Sequence, residues 1–60
     1  MPVDSTMRQL LQRRIDIRKA QYDATLELAS SGAASQNEVY IAELAWIEAR
    51  IDLARETQQS

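Results

Sequence analysis

The segment from Leu28 to Glu38 most constrains the fold, because it contains a helix stop signal and a helix start signal a few residues apart. Gly32 is the only glycine of the sequence and comes shortly after a long amphipathic stretch. Glycine adopts the left-handed conformation favoured after a helix C-terminus without a steric cost. Ser35 and Glu38 have capping-box spacing, in which the serine hydroxyl accepts from the glutamate N–H and the carboxylate reaches back to the serine N–H. The segment predicts a helix–turn–helix hairpin with its turn at about residues 30–35.

Long stretches without glycine or proline lie on both sides of this turn. Asp4 and Ser5 are good N-cap residues, so the first helix is predicted over about residues 5–30. The second helix is predicted over about residues 36–57, directly after the capping box. The fold class is therefore all-α, and residues 1–60 form a single hairpin module.

Each predicted helix carries two lines of apolar residues at heptad spacing, and in the first helix these lines lie roughly 120° apart. Line A consists of Leu10, Ile17, Ala24 and Leu28 in the first helix and Tyr40, Leu44, Ile47, Ile51 and Ala54 in the second. Line B consists of Leu11, Ile15, Tyr22, Leu26 and Ala29, followed by Val39, Ala42, Trp46, Ala49 and Leu53. Two lines on each helix predict two neighbours for each helix.

Antiparallel pairing across the turn brings both lines into the same register. Line A then pairs Ile17 with Ile47, and line B pairs Leu11 with Leu53, at the same offset along the chain. The pattern leaves open which line closes the hairpin and which faces a partner. The residues predicted to form these interfaces are Leu11, Ile15, Ile17, Tyr22, Leu26, Tyr40, Leu44, Trp46, Ile47, Ile51 and Leu53.

Two further side-chain types are candidates for contacts between helices. Trp46 is the only tryptophan, and its place in line B predicts core or interface packing, with stacking on a ligand as the alternative. Arg14 and Arg18 lie between the two lines of the first helix. We expect them at the edge of an interface, paired with Glu43 or Glu48 of a neighbour, where they would set the register.

Two helices cannot enclose a core alone, because each covers the other on one side only. Chains of 60 residues usually rely on disulfides, metal ions or a partner for stability. The sequence has no cysteine and no histidine, which excludes disulfides and removes most transition-metal sites. We therefore expect no metal or other cofactor. The expected partner is the chain itself, most simply in a homodimer that forms an antiparallel four-helix bundle.

Charge and composition argue against several other classes of protein. The net charge is −2 with mixed signs, whereas a nucleic-acid module would show a basic face. No stretch approaches the roughly eighteen uninterrupted apolar residues of a membrane-spanning helix. No histidine or neighbouring lysine is present to activate the serines of the turn, so we do not expect an enzyme. No signal peptide is visible, which predicts a cytoplasmic protein, or a periplasmic one if the chain is a fragment of an envelope protein.

The order of features over residues 11–56 resembles the periplasmic helical hairpins of bacterial export systems. The turn region reads Leu28-x-x-x-Gly32-x-x-Ser35-x-x-Glu38-Val39. In outer-membrane efflux proteins of the TolC type, the second helix often begins after a Gly-x-x-Ser turn. Its body repeats alanine and leucine much as Ala42, Leu44, Ala49, Leu53 and Ala54 do in this chain.

The periplasmic membrane-fusion adaptor proteins have a similar hairpin. Their tip motif is an arginine, a leucine four residues later and a serine seven residues beyond that. Leu28 and Ser35 occupy the last two positions, and Ala24 stands at the arginine position. Since the other domains of these families are absent from the sequence, we expect no transport by this chain alone. The predicted function is a structural and interaction module that homo-oligomerises, and the alternative is a small regulatory adaptor that binds a helix of another protein.

Overall fold

The computed structural model describes residues 5–58, which form two helices joined by a short turn. Helix α1 spans Ser5–Ser30 and helix α2 spans Gln36–Gln58, so the predicted bounds differ only by one residue at the end of α2. The candidate cap Asp4 lies outside the described residues. The all-helical hairpin predicted from the sequence is confirmed.

Helix α1 ends in a Schellman motif built on the single glycine. Gly32 has a φ of +83°, and its N–H donates to the Ala29 carbonyl at 3.1 Å. The Ala33 N–H donates to the Leu28 carbonyl at 2.8 Å. These two bonds satisfy carbonyls that have no partner inside the helix, and they require the left-handed residue between them.

Ser35 is the N-cap of α2 and directly precedes its first residue, Gln36. The Ser35 Oγ accepts a hydrogen bond from the Glu38 N–H at 3.2 Å, the first of the two bonds of the capping box. The Ser35 carbonyl accepts from the Val39 N–H at 3.2 Å and so starts the helical ladder. The Glu38 carboxylate lies in the first turn, where the helix dipole favours a negative charge.

Contacts between the helices show that they run antiparallel. Arg14 near the start of α1 bonds Asp52 near the end of α2, and Tyr22 stacks on Trp46 halfway along. The Tyr22 ring reaches Trp46 one turn beyond Ala42, its predicted partner in line B. A long aromatic side chain can make such a diagonal contact without a change of register.

The residues of line B lie between the two helices of the hairpin. Val39 and Ala49, at 4% and 0% exposure, are the buried apolar residues of the described chain, and both belong to line B. The half-buried members of line B are Leu11, Ile15, Tyr22, Ala29, Ala42, Trp46 and Leu53. Leu26 is exposed because it lies about 45° to the side of the other line B residues of α1.

Line B of α2 contains two small residues between the helices, the buried Ala49 and the half-buried Ala42. In the predicted register they lie opposite Ile15 and Tyr22, which pairs large side chains of α1 with small ones of α2 at these two positions. Such alternation lets two surfaces interdigitate at the density of a protein interior. The α2 half of line A instead presents a large residue at four of its five positions.

The two helices form a single layer, with principal extents of 50 × 15 × 9 Å. Each helix is therefore covered by the other helix on one side and open to solvent along its opposite side. Between Ser5 and Gln58 neither helix is both long enough and apolar enough to span a membrane.

Candidate interaction surface

The large apolar residues of line A all lie at the surface. Their exposed fractions range from 37% at Ile47 to 61% at Leu10. The exposed large members of line A are Leu10, Ile17, Leu28, Tyr40, Leu44, Ile47 and Ile51. Side chains of this size release free energy when they leave water, at about 25 cal/mol per Å² of apolar area. Line A is therefore the apolar surface that the hairpin leaves without a partner.

The two halves of line A lie on opposite faces of the hairpin. In α1 the line A residue comes one position before its line B neighbour, as Leu10 comes before Leu11. In α2 it comes one position after, as Ile47 follows Trp46. A step of one residue along a helix rotates the side-chain direction by about 100°. The step from line B to line A runs backward along α1 and forward along α2. Because the helices are antiparallel, both steps rotate in the same sense when the hairpin is viewed from one end. Since the line B residues of the two helices point toward each other, equal rotations carry the two halves to opposite faces.

The grooves between the helices agree with this placement. The groove on the first face includes Ala24, from the α1 half of line A. The groove on the second face includes Ala54, from the α2 half. The first groove is lined by Arg18, Gln21, Ala24, Thr25, Glu38, Ile41, Ala42 and Ala45. The second is lined by Gln12, Ile15, Arg50, Leu53, Ala54 and Thr57.

The first face carries an ion pair between the helices. Arg14 lies one turn before Arg18, and its guanidinium contacts the Asp52 carboxylate at 2.8 Å. The Arg18 guanidinium donates to the Gln21 side chain at 3.0 Å. We predicted both arginines to pair with glutamates of a neighbour, but Arg14 pairs within its own chain. With side-chain exposures of 47% and 38%, the pair contributes little to stability.

Ile41 is an exposed apolar residue of the first face that the heptad pattern does not include. It is 61% exposed and lies in the first groove beside Ala42 and Ala45. The signal for it in the sequence is the run of four apolar residues from Val39 to Ala42, since consecutive residues on a helix point about 100° apart and one line cannot contain them all.

The second face carries the aromatic pair, covered by two cations. The rings of Tyr22 and Trp46 are stacked with their centroids 5.6 Å apart. The Lys19 Nζ lies 5.3 Å from the Trp46 ring centroid, and the Arg50 guanidinium carbon lies 4.8 Å from it. Lys19 also contacts the Asp23 carboxylate at 2.7 Å, as its spacing of four residues predicts. These side chains cover the indole, so Trp46 packs inside the hairpin and is half-buried.

The sequence did not identify Lys19 and Arg50 as partners of Trp46. The sequence does indicate the Arg50 contact, because Arg50 follows Trp46 by four residues and lies on the same helix face. Lys19 reaches Trp46 from the other helix, and that contact depends on the register of the hairpin.

The predicted interface residues divide into two groups. Leu11, Ile15, Tyr22, Trp46 and Leu53 lie between the two helices of the hairpin. Ile17, Leu26, Tyr40, Leu44, Ile47 and Ile51 are exposed and free to contact another molecule. The structure thus separates the intramolecular contact from the candidate surface, a choice that the sequence pattern left open.

Within residues 5–58, no three acidic side chains lie close enough together to hold a metal ion. No protein-family model, curated protein or solved structure matches this chain.

Proposed function

We propose that the chain is a structural module that self-associates through line A. The observation that supports the proposal is that, among the described residues, many more apolar side chains are exposed than buried. Ten large apolar side chains are exposed, while Val39 and Ala49 are the two apolar residues that are buried. A chain of this size has little stability to lose, so a second surface that excludes water supplies what the hairpin lacks.

Two hairpins packed as an antiparallel four-helix bundle are the smallest assembly that covers one face of each copy. Heptad lines pack by inserting side chains of one helix into spaces between those of the next. The module serves as an oligomerising helical hairpin, similar in kind to the hairpins of envelope export systems that its turn resembles. Neither catalysis nor cofactor binding is part of this proposal.

A second candidate is a regulatory adaptor that binds a helix of another protein. The first groove supports it, because Ala24, Ala42 and Ala45 are small and the groove is open to solvent along its length. Small residues let a foreign helix approach closely, and Ile41 would provide an apolar anchor. This candidate requires the hairpin to be folded without a second copy.

Sedimentation equilibrium of the purified chain distinguishes the two candidates. Ile47→Asp places a charge in line A, so we expect it to remove both assembly and helical circular dichroism. Glu48→Asp is the matched control, since it puts the same side chain at the next position, outside both lines. We expect this control to assemble as the wild type does.

A wild-type chain that sediments as a folded monomer would overturn self-association and favour the adaptor. Equal loss of assembly in Ile47→Asp and Glu48→Asp would show that aspartate weakens the helix itself, and line A would then lose its role.

A further inference from the structure

We propose that the contact between copies is heterologous, with the α1 half of line A in one copy packed against the α2 half in the next. Assembly then continues beyond two copies. This inference rests on the proposed self-association and specifies its geometry.

The placement of line A on both faces is the first argument. A pair of copies that meet through one face covers only one half of line A in each copy. The other half, either Leu10, Ile17 and Leu28 or Tyr40, Leu44, Ile47 and Ile51, would stay in water. A heterologous contact uses both halves of every copy that has two neighbours, and such contacts generate rings or open chains.

The charges of the two helices favour the same pairing. Helix α1 contains five arginine and lysine residues and three acidic residues, a net charge of +2. Helix α2 contains five acidic residues and two arginines, a net charge of −3. A heterologous contact joins helices of opposite charge, whereas contacts of α1 with α1, or of α2 with α2, join like charges. Electrostatic complementarity of this kind selects one pairing over another.

The register of line A makes the contact repeatable. In the register predicted from the sequence, Ile17 and Ile47 pair at the same offset as Leu11 and Leu53 of line B. Helix α2 of the next copy can therefore lie on α1 at the level of the copy's own α2. Each added copy presents an unused half of line A at the same height, ready for the next contact.

Disulfide cross-linking tests this geometry, because the chain contains no cysteine of its own. Two single variants, Ile17→Cys and Ile47→Cys, are oxidised separately and as a mixture, with one of them carrying a mass tag. In a heterologous contact residue 17 of one copy faces residue 47 of another. We expect little disulfide dimer from either variant alone and a mixed, singly tagged dimer from the mixture. The double variant should give dimers, trimers and larger species on a non-reducing denaturing gel.

Ile41→Cys mixed with Ile17→Cys is the matched control, since Ile41 is an exposed isoleucine of α2 outside line A. We expect it not to cross-link. If the double variant loses its helical circular dichroism, Leu10→Cys with Ala54→Cys tests the same contact about two turns away, with a smaller change of volume in α2.

Disulfide dimers from the single variants alone would overturn the heterologous contact and indicate like-with-like packing. Cross-linked products of the double variant that stop at the dimer would indicate a closed two-copy bundle, and so would efficient cross-linking through Ile41→Cys. In either case the heterologous contact would be wrong, while self-association would still hold. A monomeric wild type in sedimentation would overturn self-association itself.

Discussion

At the scale of single residues, Gly32 sets where α1 ends. An added Cβ at this position would have no neighbour within 4 Å, so the cost of a substitution comes from the backbone and not from a clash. With φ at +83°, a β-branched side chain is strained, and we expect Gly32→Val to lower the free energy of unfolding by about 1 kcal/mol or more. Chemical denaturation at one fixed protein concentration measures the change.

Two controls accompany this substitution. Gly32→Asn should cost less than Gly32→Val, since asparagine tolerates the left-handed region better than other side chains. Ala33→Gly should have little effect because the strained position is elsewhere. Equal stabilities of the wild type and Gly32→Val would contradict the assignment of the turn to Gly32.

Ser35 is the second residue with a defined local role. Its hydroxyl satisfies the Glu38 N–H at the start of α2, so Ser35→Ala should cost on the order of 1 kcal/mol in urea denaturation. Ser35→Asp keeps an acceptor at the same position and should retain most of the stability. If Ser35→Ala unfolds at the same urea concentration as the wild type, the cap contributes nothing and α2 is stabilised from elsewhere.

At the scale of the elements, the stacked pair Tyr22 and Trp46 couples α1 to α2. A double-mutant cycle with Tyr22→Leu and Trp46→Leu should give a coupling energy of about 0.5–1.5 kcal/mol, as for other aromatic pairs. The free energies come from denaturation of the four proteins at one concentration. A cycle with Tyr22→Leu and Ile51→Leu provides the control, since Ile51 lies in line A, and its coupling should be close to zero. A coupling of zero for Tyr22 with Trp46 would mean that the rings do not hold the helices together.

The helices and their turn could be predicted from the sequence because their signals are local. Gly32 and Ser35 mark the boundaries through backbone chemistry that depends on only a few neighbouring residues. The choice of line B for the inside could not be predicted, since both lines share one heptad spacing and one register. The outcome depends on contacts that form only when the helices pack, such as the stacking of Tyr22 on Trp46, one turn from its predicted partner Ala42.

The contacts that the charged residues make between the helices also could not be predicted from the sequence. Arg14 has acidic candidates all along α2, and which one it reaches depends on the rotation of the two helices about their axes. Lys19 contacts Asp23 on its own helix, as their spacing of four residues predicts. Its second contact, with the Trp46 ring, needs the other helix in place.

At the scale of the whole molecule, we propose that folding is coupled to assembly. The two helices form a single layer 9 Å across in its thinnest dimension, so each helix is covered on one side only. Ten large apolar side chains of the described residues are therefore exposed to water. Full burial of such a side chain from water is worth roughly 1.5–3 kcal/mol. Because these side chains are 37% to 61% exposed, about half of that value remains to be gained. In the assembly that we propose, contacts between copies therefore stabilise the hairpin as well as join it.

The most direct test is the concentration dependence of thermal unfolding. We would record circular dichroism melts of the wild-type chain over a roughly hundredfold range of protein concentration. If copies bind only in the folded state, mass action raises the melting temperature with concentration. Our account predicts this rise, together with a helical signal that weakens at the lowest concentrations. A cooperative melt at the same temperature across the whole range, from a chain that stays helical and monomeric, would contradict it.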